Sequence, residues 1–144
     1  MASGSLTLFV GGTDEHVGWC RPLFAAFADS IVHFGAVGSG QKVKLLNNLL
    51  FGAHLELALV ASSLSQALGI DPSLMAQTLR TCSGASYALD LVAAMGSPEA
   101  VVSGAGPFVH KDMLVASSVA EDVGADLGIL GDVSQAILDR TRNS

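Results

Sequence analysis

The chain has 144 residues; half of them are hydrophobic, 14% are charged, and the formal net charge is −6 at pH 7. This composition excludes a disordered chain, because such chains are poor in apolar residues. The acidic balance argues against nucleic acid as a partner, since phosphates require a basic face. Two cysteines are too few for a disulfide framework or a thiolate metal site, and the four histidines lack ligand spacing, so no metal site is predicted.

The most apolar long run, residues 45–68, has the length of a membrane span but contains Glu56 and several other polar side chains. A charge in the middle of a span is costly, so we interpret the run as a helix buried by protein. The first four residues lack the basic region of a signal peptide. We therefore expect a cytoplasmic protein without a membrane partner.

The first 38 residues are predicted to form a short α/β unit. Residues 6–10 are rich in strand formers and precede two glycines, and residues 31–34 are a second strand candidate. Between them, residues 14–28 have helical spacing but include Pro22, which predicts a broken helix or two short pieces. Because two strands alone make a poor sheet, this unit is interpreted as the tail of a larger α/β domain.

From residue 39 onward only helices are predicted. A long helix over residues 41–68 ends at Gly69, and its apolar residues on nearly all sides indicate burial on several faces. Asp71 as N-cap and Pro72 at the first helical position start the next helix. Further helices are predicted over residues 87–95, 108–123 and 132–140. The Gly/Ser/Pro stretch 96–106 is predicted to be a loop. The predicted fold class is mostly α, a helical bundle around one long central helix, preceded by two strands and a helix.

The Gly-Ser-Gly stretch at residues 38–40 matches neither common nucleotide-binding pattern. The third glycine of a dinucleotide fingerprint is absent, and Gln41 stands where a P-loop has its lysine. The stretch opens a helix and allows another backbone or a ligand to approach closely. Lys44 and Asn48 follow, four residues apart and therefore on one face of that helix.

Lys44 is a candidate general acid/base. It lies in the first turns of an otherwise apolar helix, so we expect it to be poorly solvated, and such a lysine suits proton transfer. Asn48 offers donors and an acceptor one turn away and can orient a hydroxyl or carboxylate. Lys42 points about half a turn away and is expected to be solvated. The alternative is that Lys44 and Asn48 are ordinary surface residues.

Residues 38–48 resemble the catalytic helix of the β-hydroxyacid dehydrogenase family, which includes 3-hydroxyisobutyrate dehydrogenase and, more distantly, 6-phosphogluconate dehydrogenase. The family pattern is a glycine-rich turn, then a lysine, then two asparagines. Residues 4–12 resemble a late strand of the family's cofactor domain. Residues 108–114, which contain Lys111 and Asp112, resemble a later motif whose lysine reaches the cofactor.

The resemblance implies an NAD- or NADP-dependent oxidoreductase that transfers hydride to or from a small hydroxyacid or semialdehyde. Lys44 would be the catalytic general acid/base, and Asn48 and Gly40 would bind the substrate. Lys111 and Asp112 would contact the cofactor. The resemblance also implies a homodimer formed through the helices.

The family's amino-terminal glycine-rich cofactor fingerprint is absent from this sequence. The chain is therefore expected to be a fragment, inactive alone. Residues 1–38 would be the C-terminal remnant of a Rossmann-type dinucleotide-binding domain, and residues 39–144 an all-helical substrate and dimerisation domain. Two alternatives stay open. One is a non-catalytic helical dimerisation module; the other is an imine-reductase-like relative, against which Lys44 argues, because that group usually has another residue there.

Overall fold

A computed structural model describes residues 6–142, which form two strands and six helices. Gly4 and Ser5, at the start of the segment that resembles a family strand, lie outside the described residues. The chain divides into two compact units, Met1–Asn47 and Asn48–Ser144. This division falls inside a long helix. The domain boundary between residues 38 and 39 stays a prediction.

The first unit is the predicted strand–helix–strand. Its elements are β1 (Thr7–Val10), α1 (Asp14–Phe24) and β2 (Ser30–His33). The strands are parallel, with Thr7 opposite Ser30 and Val10 opposite His33. Pro22 lies inside α1 without breaking it. Pro22 has no N–H to donate to the carbonyl oxygen of Gly18, but the loss of this one bond near the end of α1 does not split the helix, so α1 is one helix rather than two pieces.

The remaining helices begin and end largely at the predicted signals. They are α2 (Ser39–Ala67), α3 (Pro72–Leu79), α4 (Tyr87–Met95), α5 (Pro98–Asp122) and α6 (Ile129–Thr141). Gly69 has a φ of +73° just beyond the end of α2, as a terminating glycine requires. The carboxylate of Asp71 accepts hydrogen bonds from the backbone nitrogens of Ser73 and Leu74 at 2.7 and 3.2 Å. The predicted N-cap of α3 is thereby confirmed.

The prediction of a loop over residues 96–106 is wrong. Gly96, with a φ of +79°, ends α4, and Ser97 then caps α5 by accepting a hydrogen bond from the backbone nitrogen of Ala100 at 3.2 Å. From there α5 continues through two glycines and Pro107. Apolar residues of this stretch, such as Val101, are fully buried. Their burial outweighs the low helix propensity that suggested a loop.

The core of the second unit consists of aliphatic side chains. Within this unit, α5 packs against α4 and α6, and α3 packs against α4. Gly52 on α2 permits a close approach of α5, because a Cβ at Gly52 would lie 2.6 Å from Sδ of the fully buried Met113. The largest fully buried apolar side chains are Leu55, Leu59, Val101, Met113 and Ile137.

The burial of α2 differs from the expected burial on several faces. Leu55 and Leu59 are buried, whereas Leu50, Leu57 and Leu64 are 48%, 57% and 58% exposed. Within residues 6–142, α2 is the helix that is long and apolar enough to cross a membrane, with a mean hydropathy of 1.3. Of the 18 residues that make up its most apolar stretch, 44% are buried inside the protein. The helix therefore has one face in the core and an opposite apolar face that this chain leaves uncovered.

The buried face of α2 carries one charge, and that charge is paired. The side chain of Glu56 is only 7% exposed. Nε and Nη2 of Arg140 on α6 donate hydrogen bonds to its two carboxylate oxygens, both at 2.7 Å. These bonds raise the pKa of Arg140 above its usual value despite partial burial. A bidentate pair of this kind satisfies the hydrogen-bonding capacity of a buried carboxylate.

Candidate active site

The glycine-rich turn before α2 is shaped by close backbone packing in the first unit. Gly38 has a φ of +91°, in the region that favours glycine. Gly40 is buried, and a Cβ added there would overlap the carbonyl oxygen of Phe9 in β1. Gly11 is similarly confined, with an added Cβ 2.5 Å from the carbonyl oxygen of Ala36. Glycine at these positions allows α2 to begin directly against the end of β1.

Lys44 lies in the second turn of α2 and its side chain is exposed. The expectation that Lys44 is poorly solvated is therefore not met in this chain. The reason is that burial of the apolar side of α2 is complete only from Leu49, beyond both lysines. Lys42 is exposed as predicted. Lys44 is thus accessible to a ligand, and its candidacy rests on its place four residues before Asn48 on one helix.

Asn48 and Asp112 are brought together by the packing of the second unit. Nδ2 of Asn48 donates a hydrogen bond to Oδ2 of Asp112 at 2.9 Å, and both residues are half-buried. They lie 64 positions apart in the sequence. Lys111, the neighbour of Asp112 on α5, has an exposed side chain. The structure therefore links a predicted substrate-binding residue directly to a predicted cofactor-binding residue.

His33 is a residue that the sequence analysis did not assign. Its Nε2 donates to the carbonyl oxygens of Gly12 at 2.8 Å and Gly35 at 2.9 Å. Its Nδ1 lies 3.2 Å from a carboxylate oxygen of Asp14. The ring thereby ties the segment after β1 to the segment after β2, beside an open cleft of about 690 Å³ in the first unit. The available sequence signal was its place at the end of a strand, two residues before Gly35.

Residues 38–143 match the family model described as "NAD-binding of NADP-dependent 3-hydroxyisobutyrate dehydrogenase". The mitochondrial 3-hydroxyisobutyrate dehydrogenase of Bos taurus is 38% identical over 88 residues, which are 61% of this chain and 26% of that protein. The NAD-dependent L-serine dehydrogenase of Pseudomonas aeruginosa is 37% identical over 90 residues, which are 62% of this chain and 30% of that protein.

Solved structures show the same fold. The 3-hydroxyisobutyrate dehydrogenase of Mycobacterium tuberculosis, solved with L-serine, superposes with a TM-score of 0.79 at 20% identity over 96% of this chain and 50% of that chain. A structure described as Psf3 in complex with NADP+ and 2-OPP has a TM-score of 0.66 at 28% identity. The match covers 81% of this chain and 41% of that chain. The chain thus spans about a quarter to a half of the proteins it resembles. Since the family model covers most of its length, the chain belongs to the NAD-binding family of the NADP-dependent 3-hydroxyisobutyrate dehydrogenases.

Proposed function

We propose that this chain forms the catalytic helical part of an NAD(P)-dependent oxidoreductase that transfers hydride to or from a small β-hydroxyacid or the matching semialdehyde. The observation that carries the proposal is the family match, because it spans Lys44, Asn48, Lys111 and Asp112. Relatives named for 3-hydroxyisobutyrate and for L-serine support a small β-hydroxyacid as the substrate class.

The proposed general acid/base is Lys44. During oxidation its neutral amine accepts the proton of the substrate hydroxyl, and during reduction its ammonium returns a proton to the new hydroxyl. Lys44 is exposed in this chain, so a substrate oxygen can reach its Nζ. Asn48 lies one helical turn further along α2 and binds the substrate through its amide. Gly40 contributes backbone atoms at the start of the same helix.

Each unit, taken by itself, contains residues that fit part of a dinucleotide. In the first unit, glycine-containing segments follow both parallel strands, and dinucleotides bind outside the carboxyl ends of such strands. In the second unit, the exposed ammonium of Lys111 suits the anionic or carboxamide groups of the cofactor. The bound nicotinamide supplies the hydride chemistry. The first unit also exposes Trp19 and Leu23, at 70% and 66%, as a remnant of a larger domain would.

The test of the lysine assignment is a pair of matched substitutions in the complete product of the gene that encodes this chain. Lys44→Met is expected to lower kcat by about 100-fold or more, because proton transfer by a positioned side chain contributes about that much. Lys42→Met is the control, since Lys42 is also exposed and lies two residues earlier on α2. Activity is followed by nicotinamide absorbance with 3-hydroxyisobutyrate and with L-serine. Equal activity of the two variants would contradict the assignment of Lys44.

The second candidate function is a non-catalytic helical dimerisation module, and the uncovered face of α2 favours it. Leu50, Leu57 and Leu64 recur every seven residues on that face and are about half exposed. Between residues 45 and 68 the only charge is Glu56, which is turned into the core. An uncharged helix face with leucines at this spacing can pack against the same face of a second copy across a two-fold axis. We propose that the chain forms a homodimer through α2 under either function.

Light scattering on the purified chain tests the homodimer. A mass of twice the chain's 14.7 kDa is expected for the native protein, and a single-chain mass for Leu57→Glu. The control is Val123→Glu, because Val123 is also apolar and exposed but lies at the end of α5. A single-chain mass for the native protein would contradict the dimer. Titration of the complete gene product with NADH or NADPH separates the two functions, since a dimer that binds neither cofactor supports the module alone.

A further inference from the structure

The hydrogen bond between Asn48 and Asp112 gives Asp112 a different role from cofactor contact. We propose that Asp112 is a positioning residue, which fixes the side-chain amide of Asn48 so that its carbonyl oxygen faces the hydroxyl of the substrate. The inference rests on the proposed function for its substrate. It goes beyond that function by assigning the selection of a hydroxyl group to a pair of residues from two helices.

The orientation of the amide follows from the chemistry of the two side chains. An asparagine amide has its donors on one branch and its acceptor on the other, whereas an ionised aspartate offers only acceptors. Only the NH2 branch of Asn48 can therefore face Asp112, and the 2.9 Å distance joins Nδ2 to Oδ2. The carbonyl oxygen Oδ1 consequently points away from Asp112. A carbonyl oxygen has two lone pairs, so in this orientation it can accept a hydrogen bond from an alcohol beside any bond that it already makes.

The backbone positions of both partners are fixed by the core beside them. Met113 follows Asp112 on α5, is fully buried, and lies against Gly52, which is one helical turn beyond Asn48 on α2. Asp112 therefore lies on a packed helix rather than on a loop, so the position of its carboxylate relative to the amide of Asn48 is fixed. A bond from an amide to a charged acceptor is stronger than one between neutral groups, so the amide resists rotation.

Nuclear magnetic resonance of the side-chain amide tests the positioning directly in the 144-residue chain. The NH2 signals of Asn48 are identified by their loss in Asn48→Ala. In Asp112→Ala their exchange with solvent is expected to be faster by about tenfold or more, the equivalent of one charged hydrogen bond. Asp112→Asn retains an acceptor oxygen and is expected to recover most of the protection. The control is Asp122→Ala, at an exposed position on the same helix.

Unchanged exchange in Asp112→Ala would overturn the proposal, whatever the enzyme does. In the complete gene product, Asp112→Ala is expected to raise the KM for the hydroxyacid by about tenfold, with a smaller change in kcat. The KM for the cofactor is expected to stay constant, and Asp112→Asn is expected to restore the KM for the hydroxyacid in part. A rise in the KM for the cofactor instead would place Asp112 at the cofactor and overturn the proposal. Absence of turnover in the unsubstituted protein would count against the proposed function, while the exchange measurement still decides whether Asp112 holds the amide.

Discussion

The buried pair between Glu56 and Arg140 is expected to show an asymmetric response to substitution. Arg140→Met leaves a carboxylate that is 7% exposed without its partner. Removing one member of a fully buried pair costs about 3–5 kcal/mol. Because the side chain of Arg140 is 37% exposed, water reaches this end of the pair, and we expect about 3 kcal/mol. Glu56→Gln should cost less, about 1–2 kcal/mol, since the guanidinium that remains can turn toward solvent.

The control and the rescue are both available in this chain. Arg142 donates to Asp139 on the outside of α6, where the two side chains are 65% and 57% exposed. Arg142→Met should therefore cost about 0–0.5 kcal/mol, as exposed pairs do. The double substitution Glu56→Leu with Arg140→Met should recover most of the loss, because apolar replacements leave no charge buried.

Urea unfolding followed by circular dichroism, at one protein concentration, measures these free energies of unfolding. The pKa of Arg140 is raised, so its contribution is present below its unfolded value and is lost only as pH rises through the higher folded value. The loss caused by Arg140→Met should accordingly be the same at neutral and mildly alkaline pH. Equal losses for Arg140→Met and Arg142→Met, or no rescue in the double variant, would refute the reasoning from burial.

Three further substitutions test other parts of the fold by the same unfolding measurement. Gly40→Ala is expected to destabilise the first unit by about 1–3 kcal/mol, because the new methyl group meets the rigid carbonyl of Phe9; a neutral result would contradict the close approach. Ser134→Ala is expected to stabilise by about 1 kcal/mol, since Oγ of Ser134 is buried and has no hydrogen-bond partner within residues 6–142; a loss would indicate a partner. Asp71→Ala should cost about 1 kcal/mol by removing the cap of α3, and Asp71→Asn should recover most of it.

The parts of the fold that were predictable have local causes. Asp71 followed by Pro72 starts α3, and Gly69 ends α2, because capping depends on residues only a few positions apart. The start of α5 has equally local signals in Gly96 and Ser97. The helix beyond them was missed because its glycines and proline are overruled by burial, and burial depends on which distant helices pack there.

In the candidate site, too, the features with local causes were predictable and those that depend on the packing of distant segments were not. The spacing of Lys44 and Asn48 is visible in the sequence, because residues four apart share a helix face. The bond from Asn48 to Asp112 was not predictable, since it depends on how α5 is placed along α2. The exposure of Lys44 was also missed, because an apolar helix composition does not say where along the helix burial begins. The role of His33 depends on two carbonyl groups whose positions are set by strand pairing.

The contact between Gly52 and Met113 has a consequence for how sequences of this kind can diverge. The side chain of Met113 on α5 occupies the space that a side chain at position 52 on α2 would need. Related proteins that carry a larger residue at the position of Gly52 should therefore carry a smaller or differently shaped one at the position of Met113. Paired variation is expected, because an uncompensated change would shift the neighbouring Asp112 relative to Asn48 as well as disturb the core. Substitutions in the core at Gly52 and Met113 are therefore expected to change the geometry of the candidate site at Asn48 and Asp112 as well.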